Sequence, residues 1–163
     1  MNIRKAHIND LEAINTIYNQ AVKKRFSTAH LEPVLFDERL HWFFSHDPDQ
    51  YPLYVYEEKA HIKGWISLST YRGDRQALAH VAEVSYYVEE ANQGKGIGTS
   101  LMAHAIELAP DYSFSVIIAI LLSHNYPSIA LLKKFGFEEW GRMPGIAIID
   151  DTVSDHLYYG LKV

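Results

Sequence analysis

The hexapeptide Gln93-Gly94-Lys95-Gly96-Ile97-Gly98 is the densest chemical signal in the sequence, with three alternating glycines ahead of a helical pattern. A strand-to-helix turn of this kind leaves the first N–H groups of the helix without internal partners. Glycine lets a ligand approach the main chain with no Cβ in the way. With the positive end of the helix dipole and Lys95 beside them, such donors suit a phosphate or pyrophosphate, although the same spelling also fits an ordinary tight turn. Two better-known phosphate loops are excluded. A P-loop needs Ser or Thr directly after its lysine, and Lys95 is followed by Gly96. A dinucleotide fingerprint puts Thr99 or Leu101 at its third glycine, depending on where it starts, with no acidic residue well placed about 20 residues on.

Glu83 lies in an otherwise apolar and aromatic run. It reads either as a carboxylate on the solvent face of a half-exposed strand or as a partly buried base with a raised pKa. Asn125 can donate and accept toward a ligand, or cap the helix that Pro127 opens, and Ser128 adds a hydroxyl. Arg72 and Arg75 carry guanidinium forks suited to a carboxylate, and Tyr18 and Phe26 are aromatic candidates for the wall of a pocket. The nine histidines never fall at the short spacings of a metal site, and Asp150, Asp151 and Asp155 lack EF-hand spacing, so no metal is expected. There is no Gly-x-Ser-x-Gly elbow and no cysteine, which excludes thiol nucleophiles and thiolate metal sites.

The elements that must position these residues follow from periodicity. A short strand is expected at residues 3–6, then a helix opened by an Asn9/Glu12 capping box. Its core stripe is Leu11, Ile14, Ile17, Tyr18, Ala21 and Val22. Residues 37–44 read as a second, aromatic-rich helix, residues 53–57 and 62–69 as a hairpin, and residues 79–88 as a longer strand. A helix over 99–109, a strand over 114–122, a helix from Pro127 to Gly136 and short strands at 137–141 and 157–161 complete the chain. This order predicts an α+β fold, with a mixed sheet and a partly parallel βαβαβ C-terminal half.

Gln93-x-x-Gly96-x-Gly98, Asn125 with Ser128, and Lys134-Phe135-Gly136-Phe137 together resemble the GNAT-type N-acetyltransferases. Ile17-Tyr18-Asn19, Trp42-Phe43, Tyr51-Pro52, Gly64-Trp65 and Glu83-Val84-Ser85-Tyr86-Tyr87-Val88 are similar to the phosphinothricin acetyltransferase branch, which acetylates small amino-acid-like amines. The resemblance implies a mostly antiparallel central sheet with helices on both faces, and acetyl-CoA as co-substrate. It implies that the backbone of Tyr86, Tyr87 and Val88 pairs with the pantetheine arm. Amides of Gln93, Gly94, Lys95, Gly96, Ile97, Gly98 and Thr99 would hold the pyrophosphate, and an N–H near Tyr87 or Val88 would polarise the thioester carbonyl. Asn125 and Ser128 would face the same arm, and Glu83 would be the base, acting directly or through water. Tyr18, Arg72 and Arg75 would serve the acceptor, Arg75 matching an arginine of the branch while Leu78 replaces its usual tyrosine. The tyrosine that many members use as general acid is Leu132 here. A homodimer is a further implication.

Length and charge bound the rest. The 163 residues, 48% hydrophobic and 21% charged, predict a single globular domain over 1–163. A net charge of −5 argues against nucleic acid as a partner, and the resemblance implies a small-molecule amine. The first ten residues lack a secretory h-region, and the longest apolar run, residues 116–122, is too short for a bilayer; no membrane association and a cytoplasmic setting are expected. The competing function of another class is a CoA-binding or amine-sensing module of the same fold without turnover.

Overall fold

The computed structural model describes residues 2–47 and 49–163. Seven strands form one sheet in the order β1-β2-β3-β4-β5-β7-β6, comprising β1 (Asn2–Lys5), β2 (Leu53–Glu58), β3 (His61–Thr70), β4 (Val81–Val88), β5 (Val116–Leu122), β6 (Glu138–Ile149) and β7 (Thr152–Lys162). Four helices, α1 (Leu11–Lys23), α2 (Phe36–Phe44), α3 (Ile97–Leu108) and α4 (Tyr126–Lys134), cover its faces. All neighbouring strands run antiparallel except β4 and β5.

Strand alternation divides the core. Leu53, Val55, Trp65 and Tyr87 pack with Ile14, Ile17, Tyr18 and Val22 of α1 and with Trp42 and Phe43 of α2. Their neighbours Tyr54, Tyr56, Ile66 and Val84 point the other way, onto Ile97, Leu101, Met102 and Ala105 of α3. Helix α1 buries the stripe its periodicity predicts. It does not open on the Asn9/Glu12 box. Arg4 grips the Asp10 carboxylate at 2.7 and 2.9 Å, and Asp10 accepts the His7 N–H at 2.7 Å. A 3-10 turn, Ile8–Asp10, with His7 as its cap, therefore precedes the helix.

The C-terminal half departs from the expected short strands. β6 and β7 form a long hairpin closed at Asp150 and Asp151, both with positive φ, so those two are a turn while Asp155 lies within β7. β7 is inserted between β5 and β6, which makes β6 parallel to β5 at one strand's remove. Trp140 of β6 lies flat over Gly160 of β7, where a Cβ would sit 2.0 Å from the ring.

β4 and β5 pair only from Val81–Val116 to Glu83–Ile118. Over residues 84–88, β4 keeps its partner β3 but has left β5. The sheet is thus split open beside Glu83, and this split organises the site.

Candidate active site

Two cavities meet in the split. One, of about 520 Å³, lies on the α3/α4 side, between residues 86–88 of β4, the glycine turn and the start of α4. The other, of about 750 Å³, lies on the α1/α2 side and is lined by Glu83, Ser85 and Tyr87 of β4, Tyr18 of α1, and Arg39 and Trp42 of α2. Tyr87 and Ser27 belong to both. Alternation explains the partition: Glu83, Ser85 and Tyr87 share one face of β4, while Tyr86 and Val88 share the other.

In the smaller cavity, Gly94 and Gly96 are left-handed, at φ 74° and 84°. A Cβ at either would meet nothing within 4 Å, so the backbone conformation, rather than space, demands glycine there. Gly96 precedes α3 with no side-chain cap, and the first N–H returning to it is that of Ser100, at 3.0 Å. The amides of Ile97, Gly98 and Thr99 therefore sit at the helix mouth without i−4 carbonyls in the helix. Gln93 braces the turn: its Nε2 donates to the Val88 carbonyl at 3.1 Å, and its Oε1 accepts from Lys24 Nζ at 2.9 Å. Lys95 bends back to the Ala91 carbonyl and Asn92 Oδ1, at 2.8 and 3.1 Å, and does not line the cavity. Lys24 and Lys134 line it, two cations from outside the glycine turn.

Asn125 is buried, and its Oδ1 accepts the Ser128 N–H at 3.3 Å, as an N-cap does. The capping oxygen and the amide nitrogen are different atoms, so capping and contact with a ligand are compatible. The Ser128 hydroxyl is hydrogen-bonded to the Tyr86 phenol across the cavity, and burial pushes that phenol up to about 12. Leu132 is fully buried in the core beneath α4.

In the larger cavity Glu83 is half-buried, and this burial raises its carboxyl above the usual carboxylate range. Among the described residues nothing hydrogen-bonds or ion-pairs with that carboxylate. Tyr18 packs edge-on against Tyr87 with ring centroids 4.9 Å apart, and its hydroxyl meets Thr28 Oγ1 at 2.9 Å and His30 Nδ1. Phe26 lines the smaller cavity instead. Arg72 and Arg75 are not brought to either cavity. Both are exposed on the loop before β4, Arg72 over the Tyr71 ring and Arg75 paired with Asp74 at 3.4 Å. The arginine that does line the larger cavity is Arg39. Its place on the apolar side of α2, three and four residues before Trp42 and Phe43, was the available sequence signal.

A split sheet with a donor-rich turn on one side and an enclosed carboxylate on the other is the architecture of a two-substrate transferase. Residues 11–137 match the acetyltransferase (GNAT) family, and the chain belongs to it. It is 43% identical to YwnH of Bacillus subtilis (strain 168), provisionally named a phosphinothricin acetyltransferase, over 92% of this chain and 91% of that protein. It is 33% identical to the L-methionine sulfoximine/L-methionine sulfone acetyltransferase of Salmonella typhimurium, over 91% and 86%. The crystal structure of a GNAT superfamily phosphinothricin acetyltransferase from Sinorhizobium meliloti in complex with acetyl-CoA superposes with a TM-score of 0.93 at 26% identity, covering 99% of this chain and 88% of that one.

Proposed function

We propose that this acetyltransferase moves the acetyl group of acetyl-CoA to the primary amine of a small, amino-acid-like molecule. The observation that carries this reading is the meeting of the two cavities at Tyr87, with the glycine turn on one side and Glu83 on the other. The smaller cavity fits the donor. Its helix mouth suits the diphosphate, the edge of β4 over residues 84–88 is free on the β5 side to pair with the pantetheine amides, and Asn125 and Ser128 face the same space. The larger cavity receives the acceptor.

Each residue then has a task. Glu83, ionised, takes a proton from the acceptor's ammonium group, directly or through one water. The freed lone pair forms the new C–N bond as the thioester C–S bond breaks. The N–H of Val88, on the open edge of β4, stabilises the oxyanion; that of Tyr87 faces Trp65 of β3. Leu132 offers no proton, so Tyr86, kept protonated by burial and oriented by Ser128, passes its proton to the departing thiolate and is reprotonated by the second proton that the new amide nitrogen loses. A homodimeric assembly and a cytoplasmic setting belong to the same proposal and rest on the family resemblance and the cysteine-free chain.

Thiol release measured across a panel of amino acids and their analogues tests the activity, with N-acetyl product confirmed by mass. A CoA-binding sensor of the same fold gives no acetyl transfer from wild type or from Glu83→Gln. Calorimetry of acetyl-CoA against ATP tests the donor, and a preference for ATP ends the reading.

A further inference from the structure

Arg39 is buried, at 4% exposure, on the wall of the larger cavity, yet among the described residues no carboxylate pairs with it. An enclosed charge without a counter-ion is costly unless something compensates it. Part of the compensation is visible. The guanidinium carbon lies 4.2 Å from the centroid of the Tyr18 ring and 4.7 Å from that of Trp42, and Nε donates to Asn15 Oδ1 at 3.2 Å. These contacts fix the plane of the group and use Nε; the guanidinium also hydrogen-bonds to the Tyr18 side chain and Glu38 acts on its charge from nearby, but among the described residues no carboxylate comes within ion-pair distance. Burial lowers its pKa, but arginine stays protonated throughout the working range.

The charges around it define what is missing. Arg39 is the one arginine or lysine among the described residues lining this cavity, whereas Glu32, Glu38 and Glu83 supply carboxylates. A plain amine would satisfy Glu83 and leave Arg39 unpaired, and a simple carboxylic acid would do the reverse. A zwitterion satisfies both. We propose, resting on the reading of this cavity as the acceptor site, that Arg39, rather than Arg72 or Arg75, is the residue that receives the acceptor's carboxylate. The planar fork of Arg39, held between two rings, is organised before the ligand arrives.

Paired acceptors test this: L-methionine sulfone and its decarboxylated counterpart, 3-(methylsulfonyl)propylamine. In the wild type, kcat/KM for the acid should exceed that for the amine by about 100-fold, the size expected for a buried charge pair. Arg39→Gln should bring that ratio close to one, chiefly through KM, and Arg39→Lys should restore part of it. Calorimetry of L-methionine sulfone on the enzyme saturated with CoA gives a readout independent of turnover, with the same ordering of the three proteins expected. Acetyl-CoA calorimetry on each variant reports whether the fold survives. Equal use of acid and amine by the wild type would overturn the proposal while leaving the acetyl-transfer reading intact. So would a ratio unchanged in Arg39→Gln, or lost only in Arg72→Ala or Arg75→Ala. Binding of the acid through Arg39 with no thiol release from any acceptor would sink the acetyl-transfer reading instead and sustain the receptor.

Discussion

The two cavities that meet at Tyr87 are built from different materials. On the donor side the recognising groups are main-chain: the N–H groups at the mouth of α3, the open edge of β4, and a turn whose left-handed glycines could not be replaced without strain. On the acceptor side they are side chains, Glu83, Arg39 and an aromatic wall, in a cavity lined from α1, α2 and four strands. A main-chain site suits a donor that never varies, because nearly any side chain can flank it. A side-chain site suits an acceptor that differs from one enzyme to the next, because single substitutions retune it.

The sharpest way to break this contrast is Glu83→Gln. It should lower kcat by about 10²–10⁴-fold at neutral pH, the range for a positioned base, with acetyl-CoA affinity unchanged by calorimetry. The pH profile carries a sign. Because burial raises the Glu83 pKa, kcat/KM in the wild type should climb with pH through an inflection above the ordinary carboxylate range, and this limb should vanish in the variant. Next in size is Gly96→Val. At φ 84° a β-branched residue costs about 1–3 kcal/mol of local strain, so the turn should rearrange and acetyl-CoA affinity fall about tenfold or more. An unchanged affinity in a folded variant would remove the helix mouth from donor binding. Tyr86→Phe should reduce kcat about tenfold with little change in KM, less than the base variant, because a thiol with a pKa of about 8.5 leaves readily even unassisted. A full loss of activity would instead mark the Tyr86–Ser128 contact as structural.

The same contrast explains what could be read from the sequence. Most of the donor cavity lies within residues 86–99, and its glycine spacing is local chemistry, so the turn, the helix it opens and the pairing of Asn125 with Ser128 were all legible. The acceptor cavity gathers residues 18, 27–30, 32–34, 38, 39, 42, 65, 83, 85, 87, 120–122 and 156. Only the sheet order brings them together. Glu83 stood out because a charge interrupted an apolar strand. Arg39 did not, because a charged residue on an amphipathic helix ordinarily faces solvent, whereas Arg72 and Arg75 drew attention by lying near Glu83 in sequence. The long β6–β7 hairpin is faint in the sequence for a related reason. β6 is an edge strand, and its exposed Met143, Ile146 and Ile148 do not alternate with buried partners as a half-covered strand does. The false capping box at Asn9 failed on a contact made in space, since Arg4 had already claimed Asp10.

The smallest expected effect concerns stability and sharpens the comparison most. Burial alone raises the pKa of Glu83 in the folded chain above its unfolded value. The stability this shift contributes is therefore complete below the unfolded pKa and is lost as pH rises through the folded one. At neutral pH the ionised carboxylate lacks a partner and works against the fold, and glutamine has no charge to desolvate. Glu83→Gln should accordingly melt above the wild type at pH 7, by about a few degrees at most, with the gap closing as the pH falls below the carboxylate range. Arg39 holds the opposite charge in the same unpaired condition, so an amino acid bound between them should raise the melting temperature of the wild type more than that of either Arg39→Gln or Glu83→Gln. A variant that melts at or below the wild type at pH 7 would mean that the carboxylate has a partner in solution. The acceptor cavity would then be internally balanced rather than held open by two charges that only a ligand can pair.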